Sequence, residues 1–111
     1  MEQKSNVYVR ARKVVRELRP LVESVRARDA KLADQLRRAA QSIVLNIAEG
    51  RGSKDGLARV RFTNACGSAK EVRAALDVAG DWGYIDARRA HLIDAELDQI
   101  CAITWVLSRR G

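Results

Sequence analysis

Between Gln35 and Gly50 the chain reads QLRRAAQSIVLNIAEG. Leu36, Ala39, Ala40, Ile43, Val44 and Ile47 recur at intervals that gather apolar side chains on one face of an α-helix. Gln35, Arg38, Ser42, Asn46 and Glu49 form a second line at similar intervals, so a polar stripe runs beside that face. Most helical stability comes from covering an apolar face rather than from propensity. A helix with a broad apolar face and an adjoining polar stripe suits packing against other helices.

The remaining sequence supplies them. Val7, Ala11, Val14, Val15, Leu18, Leu21, Val22 and Val25 predict a helix over about 6–26. Pro20 lies inside that pattern and removes a backbone donor, which predicts a kink near Arg16 to Arg19 or a break into two helices. Asp29 is placed to cap a second helix over about 30–49, which Gly50 stops. Ser53 is placed to cap a third over about 54–81, with Asp55 in its first turn. Its predicted inward face is Leu57, Val60, Ala65, Ala69, Val72, Leu76 and Ala79, flanked by Phe62 and Cys66. Gly83 ends that helix and Asp86 caps a fourth over about 87–109, with Ile93, Leu97, Ile100, Thr104 and Leu107 inward and Cys101 beside them. Trp82, Tyr84 and Ile85 are expected to plug one end of the core. At 111 residues with a single proline, the chain reads as one all-α domain, an antiparallel up-down-up-down four-helix bundle.

Counting away from a turn centred near Ser53 sets Ser42 level with Asn64, Arg38 with Ser68 and Gln35 near Glu71. A polar seam is expected, with Arg38, Ser42, Asn46 and Glu49 facing Arg61, Asn64, Ser68 and Glu71. Arg38 would pair with Glu71, and Glu49 would reach Arg61. Such a seam can set register between two helices or form a groove for RNA or peptide. Its uncharged members favour the first reading. The same counting about Tyr84 brings Cys66 level with Cys101, as two buried reduced thiols.

Catalytic patterns are missing from the sequence. The one histidine, His91, has no neighbours at metal-ligand spacing and no local partner for a nucleophile. Gly50 to Lys54 lacks the spacing of a phosphate loop, and no paired Glu-x-x-His motif occurs. The reading is therefore a non-enzyme with no cofactor and no metal. No apolar run is long enough for a bilayer and the first residues have no apolar signal core, so the expected setting is cytoplasmic and away from membranes. Charge is the remaining lead. Lys and Arg outnumber Asp and Glu by 21 to 14, a net +7. Arg12, Arg16, Arg19 and Arg26 are expected on the outer side of the first helix, opposite its apolar face, followed by Arg37, Arg51, Lys54 and Arg59. These eight are the candidate nucleic-acid contacts. Few aromatics accompany them in the sequence, which favours contact with the backbone of structured RNA over base stacking.

The run SIVLNIAEG at Ser42 to Gly50, with GSAKE at Gly67 to Glu71 inside FTNACGSAKEVRAALDVAGDWGYI, resembles the bacterial four-helix bundle proteins known as 23S rRNA intervening-sequence proteins. The resemblance spans nearly the whole chain. It implies a left-handed up-and-down bundle, a homopentamer in several relatives, and no established enzyme activity. Some members are encoded inside intervening sequences of 23S rRNA genes. A related branch, the accessory variability proteins of diversity-generating retroelements, works with a reverse transcriptase and RNA. This chain carries the NIAEG pattern of the first branch, at Asn46 to Gly50, and is not assigned to the second, whose resemblance implies only an alternative role as an adapter docking a partner enzyme. This chain departs from the family in its short Arg28-Asp29-Ala30 link and in Val44, where relatives often carry proline, so its second helix is expected to be straighter.

Overall fold

The protein is described by a computed structural model covering residues 2–110, with side chains over 6–110. It comprises α1 (Glu2–Arg26), α2 (Ala30–Arg51), α3 (Asp55–Asp81) and α4 (Ala87–Arg110), with no strand among the described residues. Helix α1 runs unbroken through Pro20. Leu18, Leu21 and Val25, on both sides of the proline, are all buried, so packing holds the helix together where one backbone bond is missing.

The Asp29 carboxylate accepts a hydrogen bond from the Leu32 amide at 3.0 Å and begins α2 as expected. The other end of α2 differs from expectation. The helix passes through Gly50, and Gly52 is the cap residue. Gly50 is buried, and a β-carbon there would stand 2.9 Å from Cζ of Phe62. The glycine is needed for close approach of the ring, not as a stop. Ser53 does not cap α3 either. Its hydroxyl donates to the Glu49 carbonyl at 2.7 Å, satisfying the end of α2, and Lys54 occupies the cap position with no side-chain bond.

Phe62 seated on Gly50 also rotates the start of α3. Ala58 and Phe62 face inward, while Leu57 and Val60, predicted as core, are 55 % and 51 % exposed. From Ala65 to Ala79 the inward face is as predicted. Gly83, at φ +75°, closes α3: the Gly83 amide donates to the Gly80 carbonyl and the Tyr84 amide to that of Ala79. Trp82 does not plug the core. It is 67 % exposed and stacks on Tyr84, which is half-buried together with Ile85. Asp86 accepts from the Arg88 amide at the start of α4.

Contacts between neighbouring helices run in opposite residue order. Ser42 meets Ser68 and Glu49 meets Arg61; Cys66 meets Cys101 and Arg73 meets Asp94; Arg10 meets Glu96 and Ser24 meets the Tyr84 carbonyl. Adjacent helices are therefore antiparallel, and α4 closes on α1 to complete the ring. The body measures 42 × 23 × 18 Å, with one apolar core running its length.

Candidate nucleic-acid interface

The apolar residues at the α1–α2 junction are only partly covered. Val15, Val22 and Val44 are half-buried, and Leu45 is exposed. Two depressions of about 430 and 270 Å³ lie along this junction and share Val15 and Gln41, so they form one groove. Arg12 and Arg16 line one end; Arg19, Arg26 and Arg37 line the other, with Glu23 among them. The sequence-predicted cations of α1 and α2 thus come together between two helices, not on an outer face turned away from the core.

Arg51 belongs to the same side of the molecule. Its guanidinium lies 3.7 Å from the centroid of the Tyr8 ring, and that of Arg12 lies 5.8 Å from it. An arginine over a tyrosine face is worth about 0.5–1 kcal/mol at exposed sites and leaves most donors open. Arg26 is less available. It donates to the Asp34 carboxylate at 2.8 Å, which holds that carboxyl below its ordinary range, with smaller assistance from Arg38 and Arg37. Lys54 and Arg59 do not join the groove. Lys54 is exposed at the start of α3, and Arg59 lines a separate cavity between α3 and α4. Tyr8 was missed as a partner of these arginines, although its spacing of four from Arg12 is a legible helical pair.

The seam between α2 and α3 forms in a shifted register. The Ser68 hydroxyl donates to that of Ser42 at 2.7 Å, and the Asn46 amide donates to the Ser42 hydroxyl and carbonyl. Arg61 meets Glu49 at 2.8 Å. No ion pair joins Arg38 to Glu71 among the described residues, and both are exposed with Gln35 and Asn64. Helical side chains lean toward their own N-terminus. Between antiparallel helices, a residue nearer the turn on α2 therefore meets one farther from it on α3, which level counting does not capture. The seam joins the two helices through Ser42 with Ser68 and Glu49 with Arg61.

Other chemistry is sparse. His91 is exposed on α4. No group of three His, Cys, Asp or Glu side chains among the described residues is placed to hold a metal ion. No helix among them is long and apolar enough to cross a membrane.

Comparison with known proteins adds two findings. A crystal structure of a protein with unknown function from the S23 ribosomal protein family of Bacteroides thetaiotaomicron superimposes with a TM-score of 0.84 at 16 % identity, over 96 % of this chain and 98 % of that one. No curated protein matches the sequence. Residues 3–105 match the family described as 23S rRNA-intervening sequence protein, nearly the full length of the bundle, and the chain belongs to that family.

Proposed function

We propose that the protein is a non-enzymatic, oligomeric helical bundle that binds structured RNA through the α1–α2 groove. The observation that carries this reading is the convergence of Arg12, Arg16, Arg19, Arg26 and Arg37 on one groove, with Arg51 and Tyr8 on the same side. Guanidinium forks match phosphate oxygens geometrically, and such contacts position a protein on a nucleic-acid backbone. The groove presents valines and a leucine to the ligand, with no row of aromatic rings, which fits recognition by shape and backbone. The family's link to 23S rRNA makes RNA the first polyanion to test. A homopentamer, as the resemblance implies, would present this groove five times and raise the affinity through multivalency.

The test is light scattering and RNA retention across a salt series, with ribosomal RNA fragments. The expected result is an oligomer that binds at low salt and releases steeply as salt rises. Replacing Arg16, Arg19 and Arg37 together by Gln should flatten the slope of log affinity against log salt, by about one unit for each phosphate that is no longer neutralised. Indifference of the wild-type protein to RNA at low ionic strength overturns the reading and leaves the arginines as solvated surface.

The apolar floor of the groove favours a second reading. Val15, Val44 and the 61 % exposed Leu45 suit a helix of a protein partner, such as a reverse transcriptase for which this bundle serves as adapter. A gene neighbourhood without a candidate partner enzyme, together with an unchanged partner profile on Leu45→Glu, counts against it.

A further inference from the structure

Across the bundle from this groove, α3 and α4 flank an open cavity of about 680 Å³. Arg59, Lys70 and Arg109 line it, and no Asp or Glu does. None of these three cations is in an ion pair among the described residues, whereas Arg10, Arg26, Arg61 and Arg73 each meet a carboxylate within 2.9 Å. As with Arg12, Arg16, Arg19 and Arg37 of the α1–α2 groove, the charge of this group meets no carboxylate among the described residues, and here no acidic residue lines the wall at all.

Two further features mark the same cavity. Trp105 forms part of its wall, is 51 % exposed, and carries the Arg109 guanidinium 4.8 Å from its ring centroid. Together they make a flat π-surface next to the positive charge. Gly67 also lines the cavity, in the middle of α3, where glycine weakens a helix relative to alanine. A β-carbon at Gly67 would meet nothing within 4 Å, so no neighbour within the chain calls for a glycine there. At Gly50 the reason is Phe62; at Gly67 the space opens into the cavity.

We infer that this cavity binds a nucleoside phosphate, with the base against the Trp105–Arg109 wall and the phosphate among Arg59, Lys70 and Arg109. Inorganic phosphate would use the cations and leave the indole idle; an uncharged aromatic would do the reverse. A nucleotide uses both, and the volume lies in the roughly 300–1,000 Å³ range of small-ligand sites. A free mononucleotide and the terminal nucleotide of an RNA share this chemistry. The inference does not depend on the α1–α2 groove.

The experiment follows the fluorescence of Trp105 in the full chain, with Trp82→Phe removing the other indole. Ligands are adenosine and guanosine 5′-monophosphates, adenosine, ribose 5-phosphate and a 5′-phosphorylated RNA tetranucleotide. Saturable quenching by a monophosphate is expected, with adenosine and ribose 5-phosphate each at least about ten-fold weaker. Lys70→Gln and Arg109→Gln should each weaken binding by about ten-fold at unchanged melting temperature. Gly67→Leu should abolish it while keeping the helical circular dichroism. Tighter binding of the tetranucleotide than of the monophosphates supports the site with RNA as its source; weaker binding supports it with the free nucleotide. Non-saturating quenching overturns the inference, as does binding insensitive to Lys70. Loss of the oligomer on Gly67→Leu, measured by light scattering, also overturns it, because a second copy of the chain would then fill the space.

Discussion

Gly50 and Phe62 act as one interlocking pair. The ring is almost wholly buried and lies where a side chain at Gly50 would begin. Gly50→Ala is expected to destabilise the fold by about 1–3 kcal/mol, as overpacking does. Phe62→Leu in the same chain should recover part of that stability, which urea melts of the two single variants and the double variant would measure. The sequence signal at Gly50 is a glycine after a periodic run, which is also the signal of a helix stop. Only the position of a ring twelve residues away distinguishes them. Cys66 and Cys101 were legible as neighbours because both lie on inward lines at matched distances from one turn; their sulfurs are 2.8 Å apart and both thiols are free. Burial, then the hydrogen bond with Cys66, pushes the Cys101 thiol up from 9.0 to about 11. The fold therefore favours the neutral thiol. Its contribution to stability is complete below about pH 9 and is lost as pH rises toward about 11. Urea midpoints taken under reducing conditions across that window should fall more steeply for wild type than for Cys101→Ala.

At the scale of helices, interior faces were largely readable, whereas of the ends those set by Asp29 and Gly83 were readable and the turn between α2 and α3 was not. Most of the inward lines of α1, α2 and α4 follow from apolar spacing, since a helical period survives any small error at its ends, whereas Val15, Val22 and Val44 at their edge are only half-buried. The first turns of α3 failed because Leu57 and Val60 are more hydrophobic than Ala58, yet the ring at position 62 takes the place against α2. Turn chemistry was legible where a backbone angle demands one residue type. At Gly83 the left-handed φ of +75° and the hydrogen bonds closing the last turn of α3 make glycine the fitting residue. Gly83→Ala is expected to cost about 1–2 kcal/mol and to lower the melting temperature. A substitution of Gly52, at φ −95° and with no close contact, should be milder. Acid sensitivity belongs to this scale too. The hydrogen bond from Arg10, outweighing burial, holds the Glu96 carboxyl below its usual range. The link between α1 and α4 therefore stabilises the fold above the ordinary carboxylate pKa and weakens as pH falls through the lowered one. Glu96→Gln should remove that part of the acid dependence in a urea series.

For the whole molecule, the candidate interface was half legible. The arginines of α1 and α2 stand out as stripes, but whether two stripes share a groove depends on how the helices are rotated against each other. The α3–α4 cavity was harder still, because Arg59, Lys70, Trp105 and Arg109 are spread over two helices and only antiparallel packing unites them. The closing contact of the ring has a different consequence. Neighbouring helices meet through pairs such as Arg73 with Asp94, 21 residues apart, whereas Arg10 must find Glu96 and Gln99 across 86 and 89 residues. Local pairings form readily and long loops close late, because chain entropy opposes them. The order of events follows: hairpins of successive helices assemble first, and α1 docks on α4 last. Arg10→Ala should then leave the refolding rate near wild type and speed unfolding, seen as a shift in the unfolding arm of a stopped-flow chevron alone. A chain emerging from the ribosome would accordingly hold α1 against α2 while its opposite flank stays open until α4 has been made.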